Sequence, residues 1–408
     1  MKILLYGINY YPELTGIGKY SGEMCAWLSD KNNEISVVTS PPYYPDWKLS
    51  QGYKNKFYKE YINNITVFRC PLYIPKRPGL LKRVLHLISF SLSSSISLFK
   101  LRKYKHDIMI LVVPTMFCAI PALLYSKYTK SKIVLHIQDF ELDAMLGLSN
   151  RNNGLITSAL FGFERKLFKA FDMVSTISMN MLEKAAQKGV ERDKLVLFPN
   201  WAETQRFLNI ENAEQIYEQL NVDKNKKIVL YSGNIGQKQG LEILIPIAKR
   251  YQNSNENVLF LIVGNGVGKE PLLKLAQESS CNNILFRELL PYEQLPMLLS
   301  IAHCHLIVQK KGVADAVLPS KLTNILAVGG QAVITAEENT ELGKLCSSNE
   351  NLAILVNPED ENELDIAIKK CLCLPKFNPV AQNYARDNLA KDNIMSDFYS
   401  KLIALCRN

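Results

Sequence analysis

Short, mainly apolar runs recur along the 408-residue chain, most of them handing over to a loop and then to a helix-patterned stretch. KILLYGI (2–8), EISVVTS (34–40), IMILVV (108–113) and KIVLHI (132–137) open the first half, with further runs near Met173–Ser178 and Leu195–Asn200. KIVLYSGN (227–234), VLFLIVGNG (258–266), NILFRE (283–288), HLIVQK (305–310), QAVIT (331–335) and LAILVN (352–357) fill the second. Strands that are apolar on both faces must be covered on both faces, which is the condition of a parallel sheet flanked by helices. A chain of this length divides at ordinary domain sizes into two such units. The expectation is an α/β protein of two doubly wound, Rossmann-like domains, 1–203 and 204–380, facing each other across a cleft. The last helix, about 381–408, is expected to pack back on the first domain.

The nine cysteines are scattered, with no C-x-x-C pair, and Cys371 and Cys373 alone lie close together. That pattern fits buried thiols in a reducing compartment rather than a disulfide or zinc framework. His303 and His305 alternate on one strand face, with no recognisable third or fourth ligand. The opening apolar run lacks a small-residue cleavage site and reads as a first strand, not a signal peptide.

Charge is placed unevenly. Residues 1–200 carry 27 Lys plus Arg against 15 acids, whereas 201–408 carry 21 against 24. Between Tyr61 and His106 stand nine basic residues and no acid. A one-sided positive surface attracts anionic lipid or nucleic acid. Zinc-finger and aromatic RNA-binding patterns are missing from the sequence, so the expected partner is a membrane surface and not nucleic acid. The segment 80–105 fits this: Val84–Phe99 carries no formal charge and basic residues stand at both ends. By itself it reads as a core helix, as a helix lying on a membrane, or as a span. The last falls short of the ~20 apolar residues required and holds six serines.

Four loops carry the chemistry. NYYPELTGIGKYSGE joins the first strand to a helix, and Gly16 and Gly18 let backbone approach a ligand closely. Ser21 stands where a dinucleotide fingerprint needs glycine, and no acid ends the second strand, so a NAD enzyme is disfavoured. HIQDFELDAMLG follows a strand end, where parallel sheets bind ligands. His136 and Asp139 are the base or orienting candidates there, or else a core histidine and a helix N-cap. YSGNIGQKQGLE places glycines and Lys238 between a strand and a helix, a phosphate-cradling arrangement. VGNGVGKEP resembles a phosphate loop but has the wrong spacing, so Gly264 and Gly266 are expected in a close-approach turn beside a nucleotide base. Finally, Pro319-Ser320 opens a helix carrying Lys321 in its first turn, and Gly329-Gly330 closes it. A helix N-terminus with a lysine is an anion site. PPYYPDW (41–47) is either a stacking platform or a packed turn.

These motifs together resemble the retaining glycosyltransferases of family GT4, of GT-B fold, and within them the colanic acid fucosyltransferase group. YGINYYPELTGIGKYSGEM, PPYYPDW, RCPLYIPKRP, VLHIQDFELDAMLGL, STIS, FPNW, LYSGNIGQKQGLE and QKKGVADAVLPSKLTNILAVGGQAVITAEENTELG carry the resemblance over nearly the whole chain. It implies a C-terminal domain that binds a nucleotide-sugar donor and an N-terminal domain that binds the acceptor. Lys238 and Lys321 match positions that meet the donor diphosphate, and Gly16 and Gly18 match the loop facing its phosphate and sugar. Gly233, Asn234, Gly264, Gly266, Asp315, Ser320, Leu322 and Asn324 complete the implied donor set, and His136 and Asp139 lie beside the transferred sugar. The family pattern has two glutamates with seven residues between them; here Ala316 and Asn324 occupy those positions. A neutral amide there weakens a contact to ribose that is otherwise charge-assisted.

The implied reaction moves a sugar, L-fucose from GDP-fucose in the most similar group, onto a lipid-linked (undecaprenyl diphosphate) saccharide during exopolysaccharide or O-antigen assembly. It is expected on the cytoplasmic face of the inner membrane. No D-x-D motif occurs, so two lysines and a helix N-terminus, with no cofactor and no metal, are expected to stabilise the departing diphosphate. The rival readings are a nucleotide-sugar 2-epimerase, a transferase using a UDP- or deoxysugar, and a non-enzymatic membrane-surface protein.

Overall fold

The structure is a computed structural model that describes residues 1–407 apart from 14–15, 77–78, 114–115, 141–142, 144–153, 212 and 313–318. It forms two compact units: Met1–Asn200 with Met395–Asn408, and Trp201–Ile394. The second boundary therefore falls later than the expected 380. The reason is packing: Ala381, Ala385 and Leu389 are buried in the core of unit 2 beside Leu322, Ile325 and Leu326. The last helix, Lys391–Arg407, passes into unit 1 at Met395, and within that unit Phe398 stacks on Phe198 at 3.8 Å and the Tyr399 hydroxyl donates to Asn33 Oδ1 at 3.2 Å.

Unit 1 is an eight-stranded sheet in the order β3-β4-β2-β1-β5-β6-β7-β8. The strands are β1 (Lys2–Tyr6), β2 (Glu34–Thr39), β3 (Tyr58–Ile62), β4 (Ile65–Arg69), β5 (Ile108–Val113), β6 (Lys132–Ile137), β7 (Met173–Thr176) and β8 (Leu195–Leu197). All pairs are parallel except β3–β4. That hairpin is one the apolar-run pattern passes over, because β3 alternates exposed and half-buried residues at the sheet edge. Its signal lies in the two-residue turn: Asn63 and Asn64 both take positive φ, 46° and 65°, the requirement of a tight hairpin. Three helices matter below: α1 (Gly16–Asp30), α2 (Leu80–Leu101) and α3 (Ala119–Thr129).

Unit 2 is a six-stranded parallel sheet in the order β11-β10-β9-β12-β13-β14. Its strands are β9 (Lys227–Ser232), β10 (Val258–Val263), β11 (Ile284–Arg287), β12 (Cys304–Ile307), β13 (Ala332–Thr335) and β14 (Ile354–Val356). The six residues of β10 are all buried, as a strand covered on both faces should be. In each sheet the strand order reverses once next to the first strand, at β1/β5 and at β9/β12. Ligands of doubly wound sheets bind outside the carboxyl ends of the strands at such a switch point. The loop after β1 and the loop after β9 are thus the places topology selects.

Candidate active site

In unit 2 the loop after β9 turns at Gly233, whose φ of +140° is open only to glycine. Lys321 comes to this turn from the Ser320–Ala327 helix, whose N-terminus follows an extended Pro319 with no side-chain cap. The Lys321 ammonium donates to the Tyr231 hydroxyl at 3.0 Å and lies 4.2 Å from the centre of that ring. A Cβ on Gly233 would stand 3.4 Å from Lys321 Nζ, so the glycine leaves room for the lysine to approach the strand end. Tyr231 in turn donates to the Asn234 carbonyl at 2.6 Å. Burial pushes its hydroxyl well above the ordinary phenol pKa, so it stays protonated and serves as a fixed prop. Tyr231 was not among the expected residues; its signal was an aromatic hydroxyl directly after the aliphatic Ile228–Leu230 run of the strand.

Gly264 and Gly266 form the close-approach turn expected of them, and what they approach is the neighbouring loop. Gly264 N–H donates to the Arg287 carbonyl, and a Cβ at Gly264 would collide with the Gly233 carbonyl oxygen. Ile235 N–H donates to Asn265 O at 2.8 Å and Gly268 N–H to Ile235 O at 2.9 Å. What comes close to these glycines is the backbone of the β9 loop, which they let the β10 loop clasp. The expectation for Leu322 is corrected: its side chain is wholly buried in the core, so it supports the helix and offers no side chain to a donor. Asn324 is half-buried one turn after Lys321. Lys238 is exposed on the short Gln237–Gln239 turn, and its carbonyl accepts from Lys310 N–H at 2.9 Å. Beside that turn is a cavity of about 240 Å³ lined by Glu242, Lys310, Glu359 and Glu361 among others. Three carboxylates against one paired lysine make it a poor seat for a diphosphate. Asp315 and the side chain of Ser320 lie outside the described residues.

In unit 1 the polar groups are locked to each other. His136, on β6, is 3% exposed. Its Nδ1 meets Ser175 Oγ at 3.0 Å and its Nε2 meets the Gln138 amide nitrogen at 2.8 Å. The Gln138 amide nitrogen can only donate, so Nε2 accepts and the ring proton sits on Nδ1. Gln138 and Asn200 exchange two further bonds, of 3.1 and 3.2 Å. Burial holds the His136 pKa down at about 3. Both imidazole nitrogens are engaged and the ring is neutral, so of the base, orienting and core readings open to His136 this geometry fits the orienting or core ones, the ring bracing Gln138 at the strand end. Asp139, next in the loop, is exposed at its edge, yet desolvation raises its carboxyl above the ordinary value, opposed by the Phe140 N–H and Lys184.

The glycine loop after β1 is held by a residue the sequence reading passed over. Glu13 is 5% exposed; one carboxylate oxygen accepts from Tyr43 N–H and Tyr44 N–H, both at 3.1 Å, and the other from Asn9 at 2.8 Å. Gly18 packs against the same carboxylate. Buried Arg69 adds a second clamp, donating to the Ser40 carbonyl at 2.8 Å, the Tyr11 carbonyl at 2.6 Å and Glu60 at 2.6 Å. Gly16, with φ of +57°, begins α1. The 41–47 loop is a packed cluster that keeps one open edge. Tyr43 bonds His86 through its hydroxyl at 2.8 Å, Trp47 leans on both rings, and the Arg83 guanidinium lies 5.7 Å from the Trp47 ring.

With this geometry in place, comparison with known proteins decides the family. Residues 15–201 match the model of the glycosyl transferase 4-like domain and residues 212–388 that of the glycosyl transferases group 1. An Escherichia coli (strain K12) protein named as the colanic acid biosynthesis glycosyl transferase WcaI is 50% identical over 407 residues, covering 98% of this chain and 100% of its own length. The chain belongs to this glycosyltransferase family. Solved structures share its fold end to end. The sucrose-phosphate synthase of Thermosynechococcus elongatus aligns with a TM-score of 0.68 at 16% identity, covering 99% and 100% of the two chains. Anabaena HepE, solved in complex with UDP, aligns at 0.67 and 15% over the same shares. The fold is GT-B and the glycosyltransferase is a transferase enzyme; an epimerase or a purely binding protein is thereby set aside.

Proposed function

We propose that this glycosyltransferase moves L-fucose from GDP-fucose, with retention and without a metal, onto a lipid-linked (undecaprenyl diphosphate) saccharide in colanic acid assembly, on the cytoplasmic face of the membrane. The observation that carries the reading is the pairing of full-length 50% identity to the colanic acid transferase with the Lys321–Tyr231–Gly233 arrangement. When the sugar bond breaks, charge builds on the departing diphosphate. Lys321 and the uncapped start of its helix supply positive potential at that point without reorganising, and Lys238 adds a second, mobile cation. Asp139 orients the sugar or acceptor hydroxyls from the β6 strand end, and the leaving phosphate takes the acceptor's proton. Asn324 contributes one neutral hydrogen bond to the nucleoside.

A thermal-shift screen of GDP-, UDP- and dTDP-sugars tests the donor. The reading expects GDP-fucose to stabilise most, and release of GDP only when a lipid-linked saccharide is supplied. Preferential stabilisation by a UDP-sugar, or equal nucleotide release without acceptor, would overturn it.

A further inference from the structure

α2 packs on unit 1 by one side only. Leu87, Phe90, Ser94, Leu98 and Leu101 are buried, and the Ser94 hydroxyl bonds the Tyr6 hydroxyl of β1 at 2.7 Å. Its serines serve that side: Ser91 donates to the Phe117 carbonyl and Ser97 meets Cys70. This explains why so apolar a helix carries so many, and it ties the helix to the sheet, with 44% of its most apolar stretch buried. The other side is bare. Leu81, Leu85, Leu92, Ile96 and Phe99 are all exposed, Leu81 by 79% and Leu92 by 68%, and the steps of three, four and seven put them on one stripe. α3, which packs beside α2, repeats this with Ile120, Leu124 (64%) and Tyr128 (71%) at steps of four. Arg102 joins the two stripes, its guanidinium 3.5 Å from the Phe99 ring centre and 5.8 Å from that of Tyr128.

A soluble surface scatters such residues singly; a contiguous double stripe marks a contact face. Its rim is of one sign. Lys82, Lys100, Lys103, Lys105, Lys127 and Lys130 are exposed, and Asp107 is the only acid between residues 61 and 138. Asp107 is itself engaged, accepting from the Lys2 backbone at 2.7 Å. Apolar side chains framed by lysines, with tyrosines at the edge (Tyr104 and Tyr128), have the composition of a helix face lying in a lipid headgroup layer.

We propose that the α2–α3 face docks flat on an anionic lipid bilayer, the apolar stripes entering the headgroup–acyl boundary and the lysines binding lipid phosphates. The inference deepens the proposed function, resting on it only for the idea that the acceptor is lipid-linked. It also gives that acceptor a route. Arg83 and His86 sit in the first turns of the same helix, against Tyr43 and Trp47, so lipid along α2 leads to the aromatic cluster at its start.

The test is cosedimentation of the full-length protein with phosphatidylcholine vesicles that do or do not contain phosphatidylglycerol. Binding is expected only with the anionic lipid and should weaken as salt rises. The triple variant Leu92→Ser/Ile96→Ser/Leu124→Ser should lose more than about tenfold in vesicle affinity. A second variant, Lys100→Gln/Lys103→Gln, should lose about fivefold per lysine while leaving the apolar face intact. Both should keep the wild-type melting temperature and donor-induced shift, so a failure of docking is separable from a failure of the donor assignment. Unchanged vesicle binding in both variants overturns the proposal. So does a wild-type dimer that the triple variant dissolves without any change in lipid binding, because the face would then join two copies of the chain.

Discussion

The loops at the two switch points are built from the same strand–loop–helix unit and spend their polar groups in opposite ways. Around the loops that follow β1 and β6, Glu13, Arg69, His136 and Gln138 are buried or nearly so and each is bonded to neighbouring segments. After β9, Lys238 stands exposed and Lys321 rests on a tyrosine at a glycine turn. The difference is one between framework and reagent. A buried, mutually satisfied network is costly to disturb and holds a shape. A cation on a flexible stem beside a helix N-terminus suits the diphosphate-binding role proposed for it.

That contrast can be broken at its strongest point by Lys321→Ala. Removing one preorganised donor to developing negative charge lowers turnover by about 10²–10³, and because Lys321 is only half-buried, the unfolding midpoint should not move. Loss of folding together with activity would make Lys321 framework too.

The next effect compares two buried histidines, one in each unit. His136 is bonded at both nitrogens, whereas His305 has no hydrogen-bond partner at either nitrogen among the described residues and borders a cavity of about 280 Å³. His136→Leu leaves Ser175 and Gln138 without their partner and should cost about 1–3 kcal/mol in denaturant unfolding. His305→Leu removes an unsatisfied polar ring and should leave stability unchanged or higher. Equal costs would show that bonding is not what distinguishes the two sites.

Titration sharpens the same pair. Burial depresses both rings from the ordinary 6.5 to about 3. The unfolded chain therefore binds more protons than the folded one as pH drops below about 6.5. The stabilisation is complete above that value and is lost progressively as pH falls toward 3, at roughly 1.4 kcal/mol per pH unit for each histidine. Each leucine variant should flatten one share of that slope in pH-dependent unfolding. The smallest expected effect is on the Lys321 helix. Asn324→Glu restores a charge-assisted acceptor and should tighten nucleoside diphosphate binding about fivefold by calorimetry, the roughly 1 kcal/mol by which such bonds exceed neutral ones.

Much of this was legible in the chain. The mainly apolar runs specified the parallel strands of both sheets other than β4, and the Pro-Ser-Lys opening with its Gly-Gly close delimited the Lys321 helix, Gly329 taking φ of +69° where the helix ends. What escaped was set by partners distant in sequence. His136 was open to a base reading until Ser175 and Gln138 closed on it. Glu13 drew no notice in the sequence, because its partners Tyr43 and Tyr44 come from the distant 41–47 loop. Gly264 and Gly266 looked ligand-facing, yet their close neighbour is the adjacent loop's backbone. The β3–β4 hairpin hid because its edge strand is half solvated, and α2 stayed ambiguous because serines read as polar surface when they are bonded inside.

The central claim is that the donor diphosphate lands on the Gly233 turn beneath Lys321. Calorimetric binding of GDP against GMP, in the wild type and in Lys321→Ala, tests it most directly. The account predicts a strong preference for GDP that collapses in the variant while GMP binding barely changes. An undiminished preference for GDP in Lys321→Ala would contradict it.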